Sequence, residues 1–441
     1  MISRIKKISK RGRAAGLAAI FSMISKGLYF VLTLYAFSVT FGYLGPERFG
    51  IFATILGFGA ILSILDLGIG NVLIGSIARL KAENDHKGIA IEIKVGLILL
   101  SLLGLLLLAL LTLGIHFFSI DGIFKNLDPS LWAEAKLGLM IFVCGFALTL
   151  PLQGVQRITQ GLQKAYYSHI FTSIFIIFAF IALHIASANE ASIPTLIGIC
   201  FLFPALAPVV LLPWVLKFAR SAHIESHHFL SSAKYFLRSG SVFFLLQAGA
   251  IAGWGIDGFL ASSQIGSESA GLYSVVQRLF QFVTFPLMIL NAPLWPAYAH
   301  ASSSGDTSFI QSTLQKSFFY TLIAATLIAI LISVFSSQIL MVWLHRDVLI
   351  PIMLLLAYGV WAIVEASGNA YAMFLNGLNL MRIQLLTNIG FIAIAIPLKY
   401  LLIDKIGLVG LPMGTLIAYF LAIFLPYALF LKPHNDWNLK K

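Results

Sequence analysis

The chain is 441 residues long, 59% hydrophobic and only 10% charged, with a mean hydropathy of +0.94. That composition excludes an ordinary soluble domain and places most of the chain in lipid. The net charge of +12 comes from 29 Lys and Arg against 17 Asp and Glu, and the basic residues are dispersed among apolar segments. No basic face gathers for nucleic acid; a basic rim at the cytoplasmic surface fits the distribution.

The N-terminal MISRIKKISKRGR is basic, but the apolar run after it extends from Ala14 to about Gly42. That is too long for a signal-peptide core, so it reads as a retained first helix. Further runs long enough to span follow at 48–75, 90–118, 132–158, 165–187, 193–218, 235–262, 267–299, 313–339, 349–376, 382–403 and 407–431. Only helices or closed barrels satisfy the backbone in hydrocarbon, and these runs far exceed barrel strands. The expected class is all-α, a polytopic membrane protein of about twelve helices.

Lys and Arg set the orientation. Twenty-one lie on the side of the N-terminus, and six, Arg48, Lys125, Lys136, Arg346, Lys399 and Lys405, fall in the opposite loops. The bias puts both termini of a multi-pass membrane protein in the cytoplasm. The two remaining cations, Lys26 and Arg278, lie inside apolar runs.

Two motifs recur. LGPERFGIF (44–52) and IGSESAGLY (265–273) share G-x-E-x-x-G between an apolar and an aromatic residue, offset by 221 from Gly45 to Gly266. TQGLQ (159–163) matches LNGLN (375–379), offset by 216 from Gly161 to Gly377. Similar offsets at equivalent loops predict a six-helix unit present twice in the same orientation, an internal parallel repeat. The expected lobes are 1–222 and 223–441, joined through HIESHHFLSSAKYFLRSG.

The G-P-E-x-F-G-I-F turn, the L-D-L-G-I-G of Leu65 to Gly70 and the A-G-L-Y-S-V-V-Q-R-L of helix eight are similar to bacterial polysaccharide-biosynthesis membrane proteins. These are the O-antigen and exopolysaccharide flippases of the multidrug/oligosaccharidyl-lipid/polysaccharide exporter superfamily. The resemblance covers nearly the whole chain. It implies two six-helix lobes, alternating access, and an undecaprenyl-pyrophosphate-linked oligosaccharide as substrate. Lipid II flippases of the superfamily carry two further helices that this sequence lacks, which favours the O-antigen type.

Lys26 lies about 18 Å along helix one from Ala14, and Arg278 about 16 Å along helix eight from Ser267, at 1.5 Å per residue. An isolated cation at that depth costs about 2.5 to 3.5 kcal/mol, so it faces a cavity or a partner. Ser22, Lys26, Tyr29 and Thr33 share one helical face, as do Ser274, Arg278 and Gln281, flanked by Gln277. Either face can line a wet cavity, or Lys26 can snorkel and the hydroxyls bond between packed helices. Asp66 reads as near the cytoplasmic end of helix two and Asp257 as near the outer end of helix seven. Glu365 is the acid closest in depth to the two cations, on a face with Trp361 and Asn369. Pyrophosphate binding by Lys26 and Arg278 and a structural Arg278–Glu365 pair therefore both stand. Asp66, Asp257 and Glu365 are candidates for coupling to a proton or sodium ion.

Trp254, Trp361 and Tyr371 lie within helices and either stack on sugars or pack. Cys144 and Cys200 fall in apolar helices and read as packing residues. His223, His227 and His228 crowd one loop without further ligands, so no metal is expected, and neither a P-loop nor H-E-x-x-H is present, so no cofactor is expected. Two other functions compete with the flippase. A cation-coupled multidrug antiporter would need an acidic, aromatic cavity. A membrane glycosyl transferase, polymerase or ligase acting on the same lipid would need a large external catalytic loop, and the longest external stretch is only about Ser119 to Leu131.

Overall fold

The structure, a computed structural model, describes residues 2–62, 65–117, 120–219 and 226–430. The expected lobe boundary at 222/223 and His223 lie outside the described residues, as do the side chains of His227, His228 and Trp254. Contacts divide the chain into a unit of residues Met1–Phe244 and a unit of Leu245–Lys441.

Nine helical stretches among the described residues are long and apolar enough to cross a membrane. They account for eleven of the twelve expected runs, because two stretches each hold a chain reversal or break. The first is α1 (Ile2–Leu62), interrupted at Gly45 with φ 75° and ψ 170°. Phe49 packs edge-on against Phe37 and Phe41 with ring centroids 5.0 and 4.9 Å away. Twelve residues of straight helix would separate Phe37 from Phe49 by about 18 Å. The chain therefore folds back at Gly45, where a left-handed φ suits glycine. The last stretch, Ile383–Leu429, turns at Gly407 (φ 63°).

In the first unit α1 is followed by α2 (Ile69–Glu83), α3 (His86–Phe117), α4 (Trp132–Gly161), α5 (Ala165–Ala188) and a composite α6 over Ile193–Ala219. The L-D-L-G-I-G segment is a correction to the sequence reading. It does not end helix two but breaks it, and α2 continues to Glu83. Leu67 (φ 52°) and Gly68 (φ 72°) are left-handed, and the Asp66 carboxylate accepts the Gly68 N–H at 2.9 Å to restart the helix. A side chain at Gly68 would meet the backbone of Gly240, and one at Gly240 the carbonyl of Leu67. The motif is thus a backbone-to-backbone contact. A bidentate pair from Arg48 to Glu134, with nitrogen–oxygen distances of 2.6 and 3.0 Å, ties the Gly45 turn to α4, and Glu134 also accepts the Ile193 N–H.

Helix α7 (Ser226–Ala250) carries the chain across the division between the units. A wide turn at Ile251–Gly255 leads into α8 (Asp257–Gln264), then α9 (Ser267–Asn291), α10 (Leu294–Ser304), α11 (Thr307–Val334), α12 (Ser336–Leu344), α13 (Ile352–Gly377), α14 (Met381–Ile406) and α15 (Gly410–Tyr419). A second wide turn, Phe420–Phe424, ends in α16 (Leu425–Phe430). Such i-to-i+5 turns leave carbonyls without a helical partner. The run expected at 235–262 is not among the nine, and the Gly-rich wide turn at 251–255 lies within it.

The repeat is written in the backbone hydrogen bonds. Leu162, Gln163 and Lys164 donate to the carbonyls of Ile158, Gln160 and Thr159, and 216 residues later Leu378, Asn379 and Leu380 donate to Phe374, Asn376 and Leu375. Gln163 and Asn379 are left-handed at φ 59° and 58°. At the offset of 221, Gly45 and Gly266 share positive φ with ψ 170° and 169°, and Asp85 and Asp306 cap the next helix through the Gly88 and Phe309 N–H groups. The Phe309 N–H and the Ser308 hydroxyl hold the exposed Asp306 carboxyl below its ordinary pKa.

The Gly68–Gly240 contact gives a test. Gly240→Val should destabilise the protein by about 1 to 3 kcal/mol through overpacking, seen as a lower melting temperature in detergent and reduced membrane abundance. Gly57→Ala, where an added methyl meets nothing within 4 Å, should be neutral or mildly stabilising. Equal effects of the two would disprove the close contact.

Candidate functional site

The chemistry of the second unit is anchored by a buried ion pair. Lys399 of α14 is fully inaccessible and its Nζ lies 2.6 Å from Oδ1 of Asp257, itself 2% exposed. The ammonium also donates to the carbonyls of Ala252 and Gly253, each at 2.8 Å. These carbonyls belong to the wide turn at Ile251–Gly255, which frees them to accept. The other Asp257 oxygen accepts the Tyr273 hydroxyl at 2.6 Å, and Thr415 donates to Gly253 at 3.2 Å. All three ammonium protons and both carboxylate oxygens are therefore engaged, which a buried pair needs.

The sequence reading had placed Lys399 in an outer loop and left only Lys26 and Arg278 inside; that count is corrected. Asp257, expected near the outer end of its helix and away from the depth of Lys26 and Arg278, has Lys399 as its partner. The signal was present, since Lys399 falls inside the apolar run 382–403, followed by Tyr-Leu-Leu-Ile. Proximity to the run's end made an interfacial lysine the simpler reading.

Beside this pair lies a cavity of about 290 Å³. Glu365 and Asn369 of α13, Gln384 and Asn388 of α14, and a group of aromatics, Trp361, Tyr371, Tyr419 and Tyr427, line it. Gly253 is in its wall, so one residue both holds the Lys399 ammonium and bounds the cavity. Trp361 packs edge-on to Tyr419 at 5.8 Å, and Tyr371 lies 5.5 Å from Tyr427. Gly368 admits the Tyr419 hydroxyl and Gly249 admits the Asn388 amide, since a side chain at either would overlap them. Glu365 forms no hydrogen bond or ion pair among the described residues.

Arg278 is half-buried on α9 and donates to Gln281 Oε1 at 2.9 Å, one helical turn on. Its helix also brings Gln277 to the Tyr358 hydroxyl. The Arg278–Glu365 pair left open by the sequence is not formed among the described residues. Ser274 is buried, whereas Gln277 and Gln281 are partly exposed. In the first unit Lys26 and Tyr29 are exposed, Ser22 is half-buried, and Thr33 is buried and donates back to the Tyr29 carbonyl at 2.6 Å. Lys26 lies within electrostatic range of His169 on α5, which Ser25 contacts at 3.3 Å. Asp66 is occupied by the helix restart, with Arg157 nearby. The structure therefore gathers Trp361, Glu365 and Asn369 into one cavity, and sets Ser274, Gln277, Arg278 and Gln281 on a neighbouring helix.

The described part of the second unit is thus a bundle of helices with a buried ion pair beside a polar cavity, and solved structures share the fold of the chain. The chain resembles an inward-facing multidrug resistance MATE family transporter of the MOP superfamily, with a TM-score of 0.76 at 14% identity over 92% of this chain and 96% of the other. It resembles the lipid II flippase MurJ in an inward closed conformation, with a TM-score of 0.64 at 14% identity over 93% and 87%. An MOP superfamily transporter from Pyrococcus furiosus, described as having a binding pocket of reverse polarity, gives a TM-score of 0.60 at 15% identity over 95% and 96%. A search of curated proteins found no match. Residues 12–298 match the family described as polysaccharide biosynthesis protein, and the chain belongs to that family.

The ion pair makes a double-mutant prediction. Asp257→Leu or Lys399→Met alone should cost about 3 to 5 kcal/mol, because each strands a buried charge. Combining Lys399→Met with Asp257→Leu should recover most of that loss, measured by thermal unfolding of the purified protein. Additive losses in the double mutant would contradict the pairing.

Proposed function

We propose that the protein is a flippase that moves an undecaprenyl-pyrophosphate-linked oligosaccharide from the inner to the outer leaflet of a bacterial inner membrane by alternating access. The family match over residues 12–298 carries this reading. The fold supports it, being shared with transporters that include a lipid II flippase. Buried polar groups on α9 and α13 supply what a polar headgroup requires in a hydrocarbon medium. Arg278 and Lys26 are the cations assigned to the pyrophosphate: a planar fork suits two phosphate oxygens, and a lysine adds a point charge. The chain is a carrier rather than an enzyme, and both termini face the cytoplasm.

Energy coupling is assigned to Glu365. Asp257 is matched by Lys399, and Asp66 by the Gly68 amide and the nearby Arg157, so neither carboxylate is available without breaking structure. Glu365 sits in a cavity without an ion-pair partner among the described residues and can take up a proton or a sodium ion. A second reading, a cation-coupled multidrug antiporter, draws on the same observation, since a carboxylate among four aromatic rings also suits a lipophilic cation.

Mutations separate these readings. Arg278→Gln should lower surface glycan at least tenfold at near-normal membrane abundance, since a charged hydrogen bond contributes about 1.5 to 3 kcal/mol. Arg278→Lys should fall between Gln and wild type. Unchanged glycan in a Lys26→Gln, Arg278→Gln double variant, or drug efflux without glycan export by the wild type, would remove the flippase reading. A reporter fused after Lys441 should be active only in the cytoplasm; activity outside would overturn the topology.

A further inference from the structure

The cavity at Trp361 contains polar groups that its own fold does not satisfy. Trp361 is 5% exposed, and among the described residues its indole N–H has no acceptor and the Asn369 side-chain oxygen has no donor. Native structures rarely leave a buried donor and acceptor unmade one above the other, so the pair points to a missing partner that can both give and take hydrogen bonds. Around them stand aromatic faces and two further amides, Gln384 and Asn388. The 290 Å³ holds about ten water-sized groups at ~30 Å³ each, the size of a single pyranose with its hydroxyls.

The charge of the lining narrows the ligand. Among the described residues that line it, Glu365 is the one carboxylic acid, and none is a Lys or Arg. A phosphate or a carboxylated sugar would meet a carboxylate with no cation to offset it. A neutral or N-acetylated sugar meets acceptors, donors and ring faces in the combination its hydroxyls and C–H face need. Arg278 contributes from α9, whose Met288 reaches the same cavity ten residues further on, about 15 Å at 1.5 Å per residue.

Resting on the flippase reading above, we propose that this cavity is a sugar-recognition subsite for the transported glycan, selective for a neutral or N-acetylated pyranose over an acidic one. Trp361 donates to a ring or hydroxyl oxygen, Asn369 accepts from a hydroxyl, and Glu365 accepts a hydroxyl proton and rejects sugar carboxylates.

The test uses the intact chain in nanodiscs of phosphatidylethanolamine and phosphatidylglycerol. Three probes are titrated: undecaprenyl pyrophosphate, and the same lipid carrying N-acetylglucosamine or glucuronic acid. N-acetylglucosamine should tighten binding about tenfold over the bare lipid, and glucuronic acid should give no gain. Trp361→Phe, which keeps the ring and removes the N–H, and Asn369→Ala should each abolish most of the gain, with unfolding temperatures confirming the fold. Glu365→Gln should raise affinity for the glucuronic acid probe relative to wild type. If the wild type binds all three lipids equally, or if the Trp361 and Asn369 variants keep the full gain, the subsite is refuted while the flippase reading stands. If the wild type binds none of the three, both fall.

Discussion

The second unit is organised around one demand, that a lysine ammonium and an aspartate carboxylate be held together with no water to solvate either. A lone buried charge is expelled or neutralised, and a pair is tolerated only when its remaining hydrogen-bond valences are filled. The chain fills them with the Ala252 and Gly253 carbonyls, the Tyr273 hydroxyl and a turn too wide to use those carbonyls itself. Close approach of α14 and α15 is the other requirement, met by Gly410 and Gly414. A side chain at Gly414 would press on Lys399 itself, and one at Gly410 on the backbone of Leu402. Because Gly253 also bounds the polar cavity, the pair fixes the position of that wall.

The repeat shows that this chemistry is an addition to the fold rather than a condition of it. At the offset of 221, Asp257 corresponds to Ala36 and Tyr273 to Phe52; at 216, Lys399 corresponds to Leu183. All three first-unit residues are buried and apolar. The first unit thus places buried apolar side chains at the positions where the second unit has an ion pair. An apolar replacement of a buried pair is often no less stable, so retaining charge here is more economically explained by what it does for the adjacent cavity than by stability. Glu365 likewise corresponds to an uncharged residue, the buried Thr149.

The functional logic that results divides labour within one unit. Lys399 compensates Asp257, which leaves Glu365 as the carboxylate in the cavity without an ion-pair partner among the described residues. Arg278, not paired with Glu365 among the described residues, donates to Gln281 one turn away. A cation on one helix and an acidic, amide-rich, aromatic cavity bounded by another suit the two chemically distinct parts of a glycolipid headgroup, phosphate and sugar.

Much of the fold was readable from residue order because lipid makes helix formation a local matter: each spanning segment must satisfy its own backbone, so length and hydropathy locate it. Turns were readable for a similar reason, since Gly45 and Gly266 occupy backbone conformations that exclude most side chains. Trp361, Glu365 and Asn369 shared a face by helical spacing alone, and they do line one cavity. The L-D-L-G-I-G motif was visible, but its contact with Gly240 was not, because nothing local tells a glycine which backbone it will meet. Lys399 is the sharpest case. Four residues from the end of an apolar run, it fits an interfacial lysine as well as a buried one, and only Asp257, 142 residues earlier in the chain, decides between them. Depth in the membrane is set by local hydropathy, whereas the partner of a buried charge is set by which helices pack together, and that is a property of the tertiary structure.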